Sequence, residues 1–93
     1  MFEWDKDKSD RNLDERGFDF AFAAHLFEAD RLEYEDRRRI YSKPRYGAIG
    51  EVEQEVLFVV YVWRGANRRI ISARQASRRE RNAYRQAFGK ANR

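Results

Sequence analysis

A chain of 93 residues is enough for one domain with a single modest core and too short for two. The absence of Cys excludes a disulfide framework and a thiolate metal centre, and a lone His25 excludes a histidine cluster. The net charge of +4 conceals a gradient: residues 1–36 carry 5 basic and 12 acidic side chains, 37–63 carry 5 and 3, and 64–93 carry 10 and 1. Such a basic end suits a phosphate backbone, although the two halves could instead neutralise each other across the fold. The longest apolar run, Val56 to Trp63, is too short to cross a bilayer, and the opening MFEWDKDK lacks the basic-then-apolar order of a signal peptide. The expectation is a soluble, cytoplasmic protein with no membrane partner.

Phe2 and Trp4 alternate about Glu3 as in a short strand. Asp5 then reads as the N-cap of a helix from Lys6 to Arg16, with Gly17 as its C-cap. Leu13 is the one aliphatic residue of that helix, which predicts a surface position with a narrow seam inward. Asp19 can cap a second helix, where Phe20, Ala23, Ala24 and Phe27 form a buried stripe with Leu26 beside it. His25 falls off that stripe and reads as a partly exposed helix residue.

From Arg31 the alternation of Leu32 and Tyr34 predicts a strand, followed by a loop in which Arg37 to Arg39 form a solvated charge run. Pro44 ends the irregular piece, and a strand from Arg45 to Ile49 closes at Gly50, with EVEQE as turn material. Glu55 to Trp63 is apolar on both faces and belongs in the middle of a sheet. Arg64-Gly65-Ala66-Asn67 makes a hairpin turn into a strand from Arg68 to Arg74. A helix begins at Ala76 with Ala83, Tyr84 and Ala87 on one side, and residues 89–93 read as a frayed basic tail. The whole is one α+β domain over 1–93, with two N-terminal helices packed on a curved antiparallel sheet and a C-terminal helix.

The junction of the last strand and helix gathers guanidinium groups. Arg74 closes the strand, and Arg78, Arg79 and Arg81 sit in the first turns of the helix, which makes an anion site. Arg74 with Arg79 is the candidate phosphate clamp, with Arg74 bound to a core-edge carboxylate as the alternative. Ser77 and Glu80 fit a capping box, while a general-base role for Glu80 stays open. Lys8, a cation in the first turn of a helix, opposes the macrodipole and is a candidate for contacting RNA or for proton transfer. Arg78, Arg81 and Arg64 complete a basic set for a phosphate backbone, which the family resemblance below makes an RNA-binding one. Tyr46 is the candidate base-stacking ring, in preference to Tyr61 and Trp63, which read as sheet aromatics.

Two stretches resemble a known family. MFEWDKDKSDRNLDERGFDF is similar to the N-terminal signature of the BrnT toxins through Phe2, Trp4, Asp5, Lys8, Asn12, Gly17 and Phe20. IISARQASRRERNAY resembles their C-terminal signature through Ile70, Ile71, Ser72, Ala73, Arg74, Ala76, Glu80, Arg81 and Tyr84, and Arg45, Ile49 and Gly50 add to the match. The resemblance implies a RelE-like fold and a metal-independent endoribonuclease of the mRNA-interferase type, with no cofactor. It also implies a BrnA-like antitoxin in a complex of two toxins and two antitoxins, which touches operator DNA only through the antitoxin. Where the family has Lys-His before the glycine, this chain has Glu15-Arg16. The chemistry is therefore not assigned to position 16, and a non-catalytic RNA-binding module is the alternative reading.

Overall fold

A computed structural model describes residues 1–89. Strand β1 (Phe2–Trp4) leads into helix α1 (Lys6–Arg16), helix α2 (Phe20–Ala24) and a 3₁₀ turn (His25–Glu28). Strands β2 (Arg31–Asp36), β3 (Arg45–Val52), β4 (Glu55–Arg64) and β5 (Asn67–Gln75) follow, and helix α3 (Arg78–Phe88) comes last. The expected tail falls outside the described residues, apart from Gly89.

The five strands form one sheet in the order β1-β5-β4-β3-β2. β2 to β5 meander antiparallel, as expected, but β1 lies parallel to β5, so the sheet is mixed. The cause is the route of the chain: the helices after β1 carry it across one face to the far edge, and the meander returns beside β1. β4 is central and covered on both sides, which accounts for its two apolar faces. Phe20, Ala23, Leu26, Leu57, Val59, Ile70 and Ala73 pack into the larger core under α2 and the 3₁₀ turn. A smaller core of Ile49, Val56, Ala76 and Tyr84 joins α3 to the other face.

Several local expectations are corrected. The inward seam of α1 is polar: Leu13 is exposed, while Ser9 and Asn12 are buried. Ser9 Oγ accepts from the Phe20 amide at 3.0 Å, and Asn12 Nδ2 donates to the Phe18 carbonyl at 2.8 Å. These side chains satisfy backbone groups of the segment between the helices, which buried peptide requires. β3 runs on past Gly50 to Val52, because that glycine serves packing and not termination. A Cβ there would lie 2.8 Å from Leu26 Cγ. The β3–β4 turn is confined to Glu53 and Gln54, both left-handed, with φ of 49° and 71°. α3 starts at Arg78 behind the Ser77 cap and buries Tyr84, while Ala83 and Ala87 are not buried. The rings of Tyr84 and Phe88, four residues apart and 5.3 Å between centroids, cover the sheet instead.

β5 carries a bulge. Val60 pairs with Ser72 and Tyr61 with Ile70, which leaves Ile71 without a partner on β4. Ile70 and Ala73 thereby both enter the larger core, and Arg74 lies over Phe58 on the α3 face. Beyond Ile70, β5 has left β1 behind, and Arg16 of α1 donates from Nη1 to the Ala73 carbonyl at 2.9 Å. Among the described residues no helix is long and apolar enough to cross a membrane.

Candidate functional site

The junction between β5 and α3 is built around one carboxylate. Ser77 Oγ accepts from the Glu80 amide at 3.2 Å, and Glu80 Oε1 accepts from the Ser77 amide at 2.8 Å, completing the expected capping box. The same carboxylate takes both ends of Arg74: Nη1 donates to Oε1 at 2.9 Å and Nη2 to Oε2 at 3.0 Å. Arg74 thus adopts the pairing expected as the alternative. Its Nη1 also donates to the Gln75 carbonyl at 3.1 Å, and its guanidinium lies 4.3 Å above the Phe58 ring. The Arg74 hydrogen bonds, and next the burial they outweigh, leave the Glu80 carboxyl below its ordinary value. A carboxylate so held is a poor proton acceptor near neutrality. It positions a cation.

That positioning leaves Arg74 with a free edge. A guanidinium has five N–H groups. Glu80 takes two and Gln75 one, so Nε–H and one Nη2–H are without a partner among the described residues. These two N–H groups form the second fork of the side chain, the geometry that matches two oxygens of a phosphate.

Arg74 and Glu80 line a cavity of 370 Å³ together with Tyr34, Tyr46, Gly47, Phe58 and Val60, and with Glu35, Asp36, Arg37 and Arg38 at the end of β2 and the loop after it. Arg38 grips Asp36 through Nε and Nη2 at 2.9 and 2.8 Å, and Tyr41 donates to the same carboxylate. The Arg38 hydrogen bonds hold the Asp36 carboxyl well below the usual range. Burial, and next the charge of Glu80, push the Tyr34 phenol above its ordinary value, so it stays protonated. A larger concavity of 880 Å³ between α3 and β3 places Arg85 with Asp30 and Glu51 and includes none of the residues singled out for phosphate.

The other expected site residues are dispersed. Arg78 and Arg79 are exposed on the first turn of α3, with no polar side-chain partner among the described residues. Arg79 is not among the residues lining the cavity beside Arg74. Arg81 donates to the Ala76 carbonyl at 2.7 Å and so secures the helix start. Arg64 pairs with Glu3 at 3.4 Å, six residues along β4 from Phe58, or roughly 20 Å at the rise of a strand. Lys8 lines a separate groove with Arg11, Arg16, Ile71 and Ser72. The Tyr46 ring stacks on Tyr61 at 5.5 Å against the larger core, and Tyr46 also lines the cavity beside Arg74.

Sequence reasoning missed Tyr34, whose half-exposed ring lies on the Arg74 face. Its alternation with Leu32 predicted the strand, and the two positions share a face. The charge gradient is partly neutralised: Arg64 and Arg69 meet Glu3, and Arg68 meets Glu33. Arg68 is also enclosed by the rings of Phe27, Tyr61 and Trp63. Of the basic residues in the last third of the chain, Arg78, Arg79 and Arg85 of α3 stay exposed.

Comparison with known proteins gives one family. Residues 4–80 match the family described as ribonuclease toxin, BrnT, of type II toxin-antitoxin system, a span that includes Lys8, Tyr34, Arg74 and Glu80. No curated protein matches the chain.

Proposed function

Because this chain belongs to the family of BrnT ribonuclease toxins of type II toxin-antitoxin systems, we propose that it is an endoribonuclease of the mRNA-interferase type that holds RNA at the Arg74 groove and arrests translation and growth. The observation that carries this is the free fork of Arg74, a side chain fixed by Glu80 and lining an open cavity. Attack of a ribose 2'-oxygen on the adjacent phosphorus expels the 5'-oxygen. The pentacoordinate phosphorane between them carries extra negative charge. A guanidinium held in place by Glu80 and lying over Phe58 stabilises that charge with little reorganisation.

Glu80 is then a positioning residue, and Arg78 and Arg79 offer cations to flanking phosphates. Lys8 and Arg11 form a second cationic patch along α1. By the family resemblance we read the reaction as metal-independent, and the chelator in the assay below tests that reading. The RelE-like reading of the fold rests on the helices over one sheet face and the C-terminal helix on the other. By the same family reading the partner in the cytoplasm is a BrnA-like antitoxin, two of each chain, through which alone the complex reaches and represses its operator.

The test is incubation of the purified protein with RNA in the presence of a chelator, beside Arg74→Ala and Arg74→Lys. Wild type is expected to cleave, and both variants to be slower by about 10²-fold or more, since an ammonium cannot reproduce the fork. Equal cleavage by all three proteins refutes the site, and no cleavage by any refutes the activity. A second reading, RNA binding without cleavage, is favoured by Arg16, which replaces the family histidine and is tied to the Ala73 carbonyl. Salt-sensitive binding with no products in the same assay selects it.

A further inference from the structure

We propose that Tyr34 is the platform on which one nucleobase of single-stranded RNA stacks, beside the phosphate held by Arg74; this rests on the ribonuclease reading of the same groove. Tyr34 stands on the edge strand β2, opposite Gly47 of β3. A Cβ on Gly47 would lie 3.0 Å from Tyr34 Cζ and 3.1 Å from its Oη. The tip of the ring therefore rests on the bare backbone of β3. A Cβ at position 47 would make the ring give way by a few tenths of an ångström. Phe58 is also tight against that position, 3.1 Å from the same Cβ, and its ring tilts 33° to Tyr34 with centroids 6.4 Å apart.

The seat fixes one face of the ring and leaves the residue 47% exposed. Aromatic rings elsewhere in the sheet, Tyr46 and Tyr61 among them, are consumed by packing on each other. Phe58 is the common floor: it supports Tyr34 on one side and the Arg74 guanidinium on the other. A base laid on Tyr34 thus has its backbone within the same 370 Å³ cavity as the free fork, a volume at the lower end of that of small-ligand sites. Stacking is tolerant of base identity, since every base has a π face. The hydroxyl is not required by this role, because the ring supplies the contact.

The measurement is the affinity of a non-cleavable, fully 2'-O-methylated single-stranded oligonucleotide for wild type, Tyr34→Phe, Tyr34→Ala and Gly47→Ala, by fluorescence anisotropy. Each variant is first checked by circular dichroism and thermal melting. Tyr34→Ala is expected to weaken binding by about tenfold to a hundredfold, the loss of one base–aromatic stack. Tyr34→Phe should stay within about twofold of wild type, and Gly47→Ala should weaken binding in the same direction as Tyr34→Ala. A 2-aminopurine placed in turn along the oligonucleotide should be quenched at one position by wild type and Tyr34→Phe, and not by Tyr34→Ala. Undiminished binding by Tyr34→Ala overturns the platform while leaving the ribonuclease reading intact. Loss of cleavage in Tyr34→Phe together with normal binding by Tyr34→Ala also overturns it, and makes the hydroxyl the reacting group. Failure of wild type to bind or cleave any RNA overturns the function itself.

Discussion

Two oxygens of Glu80 serve three donors, and this shared use governs what substitution and pH do at the site. A Gln at position 80 can still cap the helix, but its amide nitrogen would face an Arg74 N–H, so the variant also releases the guanidinium. Because the folded-state value of Glu80 lies below 4.5, its ordinary one, the pairing contributes stability that is fully present above that value and is lost as pH falls through the lowered one. Arg74→Ala should therefore be less stable than wild type in urea at neutral pH, by on the order of 1 kcal/mol for a partly exposed forked pair. The gap should narrow as pH falls below 4.5 and close once it has passed through the lowered value of Glu80. A gap that widens in acid would refute the assignment. The capping box was legible in the spacing of Ser77 and Glu80, and the Arg74 pairing stood among the stated alternatives. Tyr34 was not legible, because its exposure depends on which residue of β3 lies opposite it. That register is non-local information.

At the scale of single elements, local chemistry and tertiary demands pull apart at the β3–β4 hairpin. Two consecutive left-handed residues define its turn, yet the chain places Glu53 and Gln54 there and not Asn-Gly. Each non-glycine residue in that conformation costs about 1 kcal/mol. Gln54→Gly should consequently raise the stability of the domain by about that amount, read from the urea midpoint at constant m. No change would mean that the turn is held by other forces. The polar pattern EVEQE correctly signals a turn but spreads it over five residues, since Glu51 and Glu55 face solvent from within strands. Similarly, the helical caps Asp5, Asp19 and Ser77 are readable because they act within one turn of backbone. The polar seam of α1 is not, because Ser9 and Asn12 look like surface residues until their backbone partners in the next segment are known.

Across the whole molecule, the charge gradient resolves into a neutralised end and a basic end. Glu3 and Glu33 from the acidic third meet Arg64, Arg68 and Arg69, while Arg78, Arg79 and Arg85 of α3 remain exposed. RNA affinity should fall steeply with salt, and removing Arg78 and Arg79 should flatten the log–log slope by about 0.7 for each phosphate that is no longer neutralised. An unchanged slope would place the RNA elsewhere. The α+β class and the central position of β4 could be read from composition and run length. The parallel placement of β1 could not, since it depends on where the chain returns.

The unpaired Ile71 has a consequence for parity. In a regular strand Ile70 and Ala73, three residues apart, point to opposite sides, whereas Ile70 and Arg74, four apart, point to the same one. By adding a single residue to the count, the bulge shifts the phase of everything after it, so that one half of β5 is odd where the other is even. The same residues paired in regular alternation, with Ile71 taken into the ladder, could bury Ile70 or present Arg74 to the groove, and not both. The site is therefore a property of an irregular count along the chain. Grafting residues 70–80 onto a regularly paired sheet with Ile70 still buried would turn the guanidinium of Arg74 toward the core.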